Sequence, residues 1–179
     1  MGKYISILRG INVSGQKIIK MNDLKSLYEL LGFSDVETYI QSGNVIFSAS
    51  GHSTNDTAEL IMKSIEDKYG FQVPVIVMTQ EYLEKIIRNN PLIKDKSLDQ
   101  SFMHITFLAG KPANPKASDF EERLLPAELI HITPEAVYLY CPAGYGQTKL
   151  NNTFIEKKLG TGATTRNLKT ANELLRLAT

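Results

Sequence analysis

Apolar positions along this chain switch repeatedly between a period of two and a period of roughly 3.6, the two signatures of strand and helix. Alternation over Tyr4–Arg9, with Ile5 and Ile7 on one face, predicts a first strand. A glycine-bearing loop, Gly10–Met21, leads to a helical stripe of Leu24, Leu27, Tyr28 and Leu31, with Asn22 as expected N-cap and Gly32 as stop. Val36–Ile40 and Val45–Ser48 read as a hairpin through a tight turn at Ser42-Gly43. In that register Ile40 faces Val45 and Thr38 faces Phe47, while Glu37, Tyr39, Gln41, Asn44 and Ile46 take the other face. A polar loop, Ser48–Asn55, precedes a second helix with Ala58, Ile61, Met62, Ile65 and Tyr69 inward and Gly70 as its stop. Val73–Met78 is a strand whose Pro74 puts its first residues at an edge or end. Thr79 is the expected cap of a helix to about Arg88, ended by Asn89-Asn90-Pro91.

After a polar stretch the order recurs. His104–Leu108 reads as a strand, Lys116–Leu124 as a helix, and Leu129–Ile132 with Val137–Cys141 as a hairpin. Asn151 or Asn152 caps a helix to Leu159, Ala163–Thr165 is a short strand, and Asn167 caps a last helix striped by Leu168, Ala171, Leu174, Leu175 and Ala178. The predicted class is therefore α+β: two ferredoxin-like (split βαβ) halves, each with one extra C-terminal helix. The expected division is 1–90, a linker 91–101, and 102–179. One irregular α+β domain is the alternative. The repeat lies in element order, not in residue identity.

Composition narrows the function. With 179 residues, 42% hydrophobic and 22% charged, the chain fits a globular protein of one ordinary or two small domains. A formal net charge of +1 gives no case for strong binding to duplex DNA or to a membrane surface. A single cysteine, Cys141, allows no intramolecular disulfide, and no apolar run approaches the roughly 20 residues of a membrane helix. The chain opens on a strand-like run, so no signal peptide is expected and a cytoplasmic location is.

The split βαβ order places the polar loops. It sets Arg9-Gly10-Ile11-Asn12 beside Gln41-Ser42-Gly43-Asn44, and Gly144–Lys149 beside Thr164-Thr165-Arg166-Asn167. If those ends face each other they make one composite site between the halves.

Three separated motifs carry a resemblance. LRGINVSG at Leu8–Gly15, TYIQSGN at Thr38–Asn44 and TTRN at Thr164–Asn167 resemble a bacterial family catalogued as domain of unknown function 1697, as does Gly146–Leu150. The chain has Ser14, Thr148 and Leu168 where that family usually has Gly, Ser and Trp. The resemblance implies a cytoplasmic bacterial α+β protein with ferredoxin-like parts, and no established activity.

The start of the last helix is the most interpretable site, because its unpaired N–H groups and positive dipole end favour an anion. Arg166 offers a bidentate contact to phosphate or carboxylate and Lys149 a point charge. The plainer reading is a capped helix, with Thr165 and Asn167 satisfying its amides and Arg166 paired to a surface carboxylate. Arg9, Asn12 and Asn44 complete the expected ligand-binding set, although each has a structural alternative in a loop or turn. Gly10 to Lys17 departs from a P-loop in its Lys position and in having Ile18 where Ser or Thr is required, and Gly144-Tyr145-Gly146 lacks a third glycine. His104, His131, Tyr138 and Tyr140 are expected on one sheet face, with Tyr4, Tyr39 and Ile46 on the corresponding face of the first half. His104 and His131 could form a metal or acid–base pair, but no ligand spacing supports a metal, and no cofactor is expected. Cys141 reads as a core residue at a strand end. The expected partner is an anionic small molecule bound at a polar site between the halves. An enzyme of phosphoryl or nucleotide chemistry in the same pocket, and a protein- or RNA-interaction module using the aromatic sheet faces, are the alternatives.

Overall fold

A computed structural model describes residues 2–179. By its internal contacts the chain divides into two compact units, Met1–Glu84 with Glu173–Thr179, and Lys85–Asn172. The boundaries expected at 90 and 101 thus fall inside the second unit, and the last seven residues count with the first. Residues 91–101 hold two 3-10 turns, Pro91–Lys94 and Gln100–Phe102, capped by the side chains of Asn90 and Asp99.

In the first unit the order is β1 (Gly2–Leu8), α1 (Met21–Leu30), β2 (Ser34–Tyr39), β3 (Asn44–Ala49), α2 (Thr54–Tyr69) and β4 (Val75–Thr79), followed by α3 (Gln80–Arg88). The sheet runs β2-β3-β1-β4 with every neighbouring pair antiparallel. Helices α1 and α2 cover one face, where Leu24, Leu27, Tyr28, Ala58, Ile61 and Ile65 pack with Leu8, Val45, Phe47, Val75 and Val77. Phe47 is the hub: Tyr4 stacks on it at 5.8 Å, Tyr28 meets it edge-on at 5.4 Å and Phe33 lies 4.7 Å away. Burial pushes the Tyr28 hydroxyl well above the ordinary phenol range, and Ser6 bonds it at 2.8 Å. Ile5, Ile7, Ile46, Ile76 and Met78 lie on the other face and are buried too.

Local signals were mostly sound here. Ser53 and Asp56 form a reciprocal capping box, Gly70 ends α2 at φ 75°, and Thr79 Oγ1 accepts from Tyr82 N. Asn22 is not a cap. The cap position lies two residues earlier, at Lys20, with no side-chain cap bond, and α1 starts at Met21. The hairpin register also differs from the expected one. Thr38 pairs with Val45 and Tyr39 with Asn44, so the loop spans Ile40–Gly43 and Ile40 sits at φ 52°, outside the strand. Farther along, Asp35 at φ 51° makes a bulge between the Ser34 and Glu37 rungs. Tyr4 is on the helix-covered face, not with Tyr39 and Ile46, since its strand partner is Phe47.

The second unit repeats the strand order. Its elements are β5 (Met103–Leu108), α4 (Ser118–Glu121), β6 (Leu129–Ile132), β7 (Ala136–Tyr140), α5 (Asn152–Leu159), β8 (Ala163–Asn167) and α6 (Leu168–Ala178). The sheet is β6-β7-β5-β8, again antiparallel throughout. Phe120, Leu150, Phe154, Ile155 and Leu159 pack on Leu108, Val137, Leu139, Cys141 and Ala163. Two elements differ in length from expectation: α4 is only four residues, and β8 continues through Asn167. His131 pairs with Tyr138, but His104 pairs with Leu139 and lies on the opposite face, so the two histidines form no pair. Tyr138 is buried and donates to the Ile86 carbonyl oxygen at 2.7 Å, which removes it from any exposed aromatic surface.

The turn at Gly43 is where the first sheet is tightest. A Cβ there would lie 2.6 Å from Ile11 Cδ1 and 2.9 Å from Leu8 Cβ, and the residue sits at φ +85°. Gly15 has φ +72° with nothing within 4 Å. Gly43→Ala should therefore lose about 2–5 kcal/mol in urea unfolding, from left-handed backbone plus overpacking, and Gly15→Ala about 1–2 kcal/mol. Equal losses would show that Leu8 and Ile11 yield freely.

Candidate functional site

The polar corner of the second unit is built by strand pairing. His104 stands opposite Asn167 and Thr106 opposite Thr165, so four polar side chains occupy the sheet face that Val137, Leu139 and Ala163 make apolar elsewhere. Buried Thr106 and half-buried Thr165 solve this by a directional chain. Thr165 Oγ1 gives its one proton to Asn152 Oδ1 at 2.7 Å, so the 2.7 Å bond between the two hydroxyls is donated by Thr106. The amide NH2 of Asn152 is the donor end of that chain.

This chain joins the starts of two helices. Asn152 is the first residue of α5, whose cap Asn151 accepts from Phe154 N at 2.9 Å. Two residues beyond Thr165, Asn167 caps α6 by accepting from Thr170 N at 2.7 Å. Each cap satisfies one amide, and the positive dipole ends of both helices lie around one stretch of β8. Arg166 sits between Thr165 and Asn167, and its Nη1 donates to the Thr165 carbonyl at 3.1 Å. Burial lowers its pKa to about 10, with Tyr145 acting in the opposite sense, so it stays charged at neutral pH. Tyr145 also stacks on His104, ring centroids 4.9 Å apart.

Of the expected residues, Thr165 and Asn167 share this face of β8, whereas Arg166 stands on the rung of Ile105, which belongs to the other face. Asn167 caps the last helix as expected, whereas Thr165 is turned to Thr106 and Asn152 instead of the helix amides. Lys149 is exposed, just ahead of Asn151. His104, Thr106, Tyr145 and Asn152 were not in the expected site. Pairing of β5 with β8 reveals the first two, the ring contact with His104 reveals Tyr145 and the hydrogen bond from Thr165 reveals Asn152.

The first-unit residues do other work. The predicted proximity of the two loops is real: Leu8 N donates to Gly43 O at 2.8 Å, and Asn12 Nδ2 donates to Gln41 O at 2.9 Å. Asn12 also brackets Ile19, donating to its carbonyl and accepting from its N–H, both at 2.9 Å. Asn44 is fully buried and donates to Tyr39 O at 2.9 Å and Ser42 Oγ at 3.1 Å. These two amides hold loops. Arg9 lies just past β1, where its N–H donates to Pro74 O at 3.0 Å. Lys17 Nζ donates to Gln72 O at 2.7 Å, unlike a phosphate-binding lysine. Cys141 is buried; desolvation, then Glu128, pushes its thiol up to about 11, which is unsuited to a nucleophile. Among the described residues, no group of three or more His, Cys, Asp or Glu is placed to hold a metal.

Two measurements follow. Asn12→Ala removes three hydrogen bonds from loop closure and should cost about 2–4 kcal/mol of unfolding free energy. A loss below about 0.5 kcal/mol would show that water replaces the amide without penalty. His104 is desolvated, which lowers its pKa below the ordinary 6.5, against a smaller opposing effect of the Phe102 carbonyl. Between the folded value and 6.5 the unfolded chain holds the proton and the folded chain does not. Its contribution to stability is therefore whole above pH 6.5 and is lost as pH falls through the folded value. Histidine NMR titration should give a midpoint below 6.5, and His104→Phe should flatten the acid side of the stability profile. A midpoint at or above 6.5 contradicts the desolvated placement.

Comparison with known proteins places the chain. A conserved bacterial protein of Streptococcus pneumoniae, SP0830, has a similar fold: TM-score 0.66 at 21% identity, over 99% of this chain and 99% of that one. No curated protein matches the chain. No helix among the described residues is long and apolar enough to cross a membrane. The family described as "Protein of unknown function (DUF1697)" matches residues 1–138, which takes in two of the three motifs, and the chain belongs to that family.

Proposed function

We propose that this protein binds a small phosphorylated or carboxylated molecule at the corner where β8 runs into α6 and α5 begins. The observation that carries the reading is the meeting of two helix N-termini around Thr165-Arg166-Asn167, joined by the hydrogen bond from Thr165 to Asn152. Oriented amides and dipoles there favour negative charge. Arg166 supplies a full positive charge in partly desolvated surroundings, where an anion is held more strongly than in open water. The amide NH2 groups of Asn152 and Asn167 add neutral donors, and exposed Lys149 adds charge at the approach. A single buried cysteine suits a cytoplasmic setting.

An enzyme of phosphoryl chemistry at the same corner is the second reading. It is favoured by His104, a neutral imidazole on the strand rung of Asn167. Phosphate release from a phosphomonoester or nucleotide, abolished in His104→Gln, would select it.

Binding is tested by thermal shift with inorganic phosphate and with acetate, on wild type and Arg166→Gln. A ligand at about 100 times its Kd stabilises by roughly 2.7 kcal/mol, a rise of a few degrees for a chain of this size. The expected result is a saturable rise in wild type that Arg166→Gln loses. No rise with either anion, or an equal rise in the variant, rejects the site.

A further inference from the structure

Strand β6 is an edge of the second sheet. The hairpin bond from Thr133 N to Ala136 O fixes which of its backbone groups face β7. Rungs of an antiparallel ladder alternate, so Leu129 and His131 bond to Tyr140 and Tyr138, while Ile130 and Ile132 turn their N–H and C=O groups outward. Among the described residues, no backbone group from outside the sheet bonds those outward groups. The other edges are treated differently. Strand β4 is buried from Val75 to Met78, and β8 is buried at Ala163 and Thr164. Strand β2 is broken by the Asp35 bulge and carries Glu37 as well. Within Leu129–Ile132 there is no bulge, proline or charge, and Leu129 is 40% exposed. Such an edge offers its ladder to another strand.

The strand that fits is β6 of a second copy. Run antiparallel about a two-fold axis at His131, it sets Ile130 against Ile132 of the copy and Ile132 against Ile130, as hydrogen-bonded pairs. Both outward residues of each strand are then satisfied, and His131 faces His131 of the copy at the axis. Charge allows this pairing. Residues 128–134, the stretch it brings together, hold no Lys or Arg, and their one carboxylate, Glu128, is buried. The same operation on β2, centred on Val36, would set Asp35 against Glu37 of the copy. We infer that two copies of this chain associate through β6, joining their second sheets into one continuous antiparallel sheet. The strands are short, so the dimer is a transient one.

Sedimentation velocity on the full chain at rising concentration should show a reversible monomer–dimer equilibrium. His131 is exposed, and His131→Glu puts like charges face to face at the axis. It should weaken the dimer about fivefold, while His131→Asn keeps it within about twofold. Cross-linking of cysteine variants, with copper phenanthroline as the oxidant of the two thiols, reads the register. Cα atoms in a non-hydrogen-bonded antiparallel pair lie about 4.5 Å apart, within disulfide reach, so His131→Cys should give a covalent dimer. Leu129→Cys is exposed too, but in this register it lies about 13 Å from its copy and should not. Wild type, whose lone Cys141 is buried, is the blank. The wild-type concentration series and the cysteine pair keep the test independent of how His131→Glu folds. A monomer at every concentration, a dimer indifferent to His131→Glu, or cross-linking that does not favour His131→Cys overturns the inference.

Discussion

A polar group taken out of water must find a partner, and in the second unit this requirement organises everything around β8. Two antiparallel rungs put His104, Thr106, Thr165 and Asn167 on the helix-covered side of the sheet. An apolar residue at Thr165 would pack there with less difficulty, but Thr106 would then lose its acceptor and Asn152 its donor. The chain of hydroxyl and amide groups is the means by which the sheet, α5 and the start of α6 are set against one another. The unspent donors are displayed only because the inner ones are already paired.

The two sheets share strand order but keep their polar clusters at opposite ends, the first where β1 ends and β4 begins, the second where β5 begins and β8 ends. In the first unit, Asn12 and Asn44 behave like extra backbone, each closing a loop with its side-chain amide. Gly43 lets the hairpin loop come within contact distance of Leu8 and Ile11. The result is an end bonded to itself. In the second unit the amide side chains at the other end of the sheet, Asn152 and Asn167, begin helices, and their NH2 groups remain as donors.

Sequence reading recovered the parts governed by local rules. The glycine stops of α2 and α5 and the caps at Thr79 and Asn167 each depend on a few adjacent residues, and of the two candidates Asn151 and Asn152 the structure takes Asn151. It failed where a distant group decides. Asn22 looked like a cap, but the bracket of Asn12 on Ile19 delivers the chain into α1 two residues sooner. The hairpin loop came out longer because buried Asn44 spends its side chain on Tyr39 and Ser42. Tyr4 and His104 were put on the wrong face because side chains alternate along a strand, and a parity error of one residue sends each to the other side. The same parity hid His104 from the site, although Arg166 and Asn167 were legible as residues at a helix start.

The bulge at Asp35 reaches beyond the geometry of one hairpin. Strand β2 lies at the border of its sheet, the position from which another copy of the chain could continue the ladder. Asp35 interrupts the regular rungs, takes a left-handed backbone, and holds a carboxylate bonded to Ser48 Oγ at 2.8 Å, with Lys3 Nζ 3.7 Å away. An incoming strand would meet a kinked backbone and a charge pair instead of a flat row of amides. Asp35 is thus a guard against edge-to-edge aggregation, and its loss should show first in the solubility of concentrated protein rather than in the stability of a single chain.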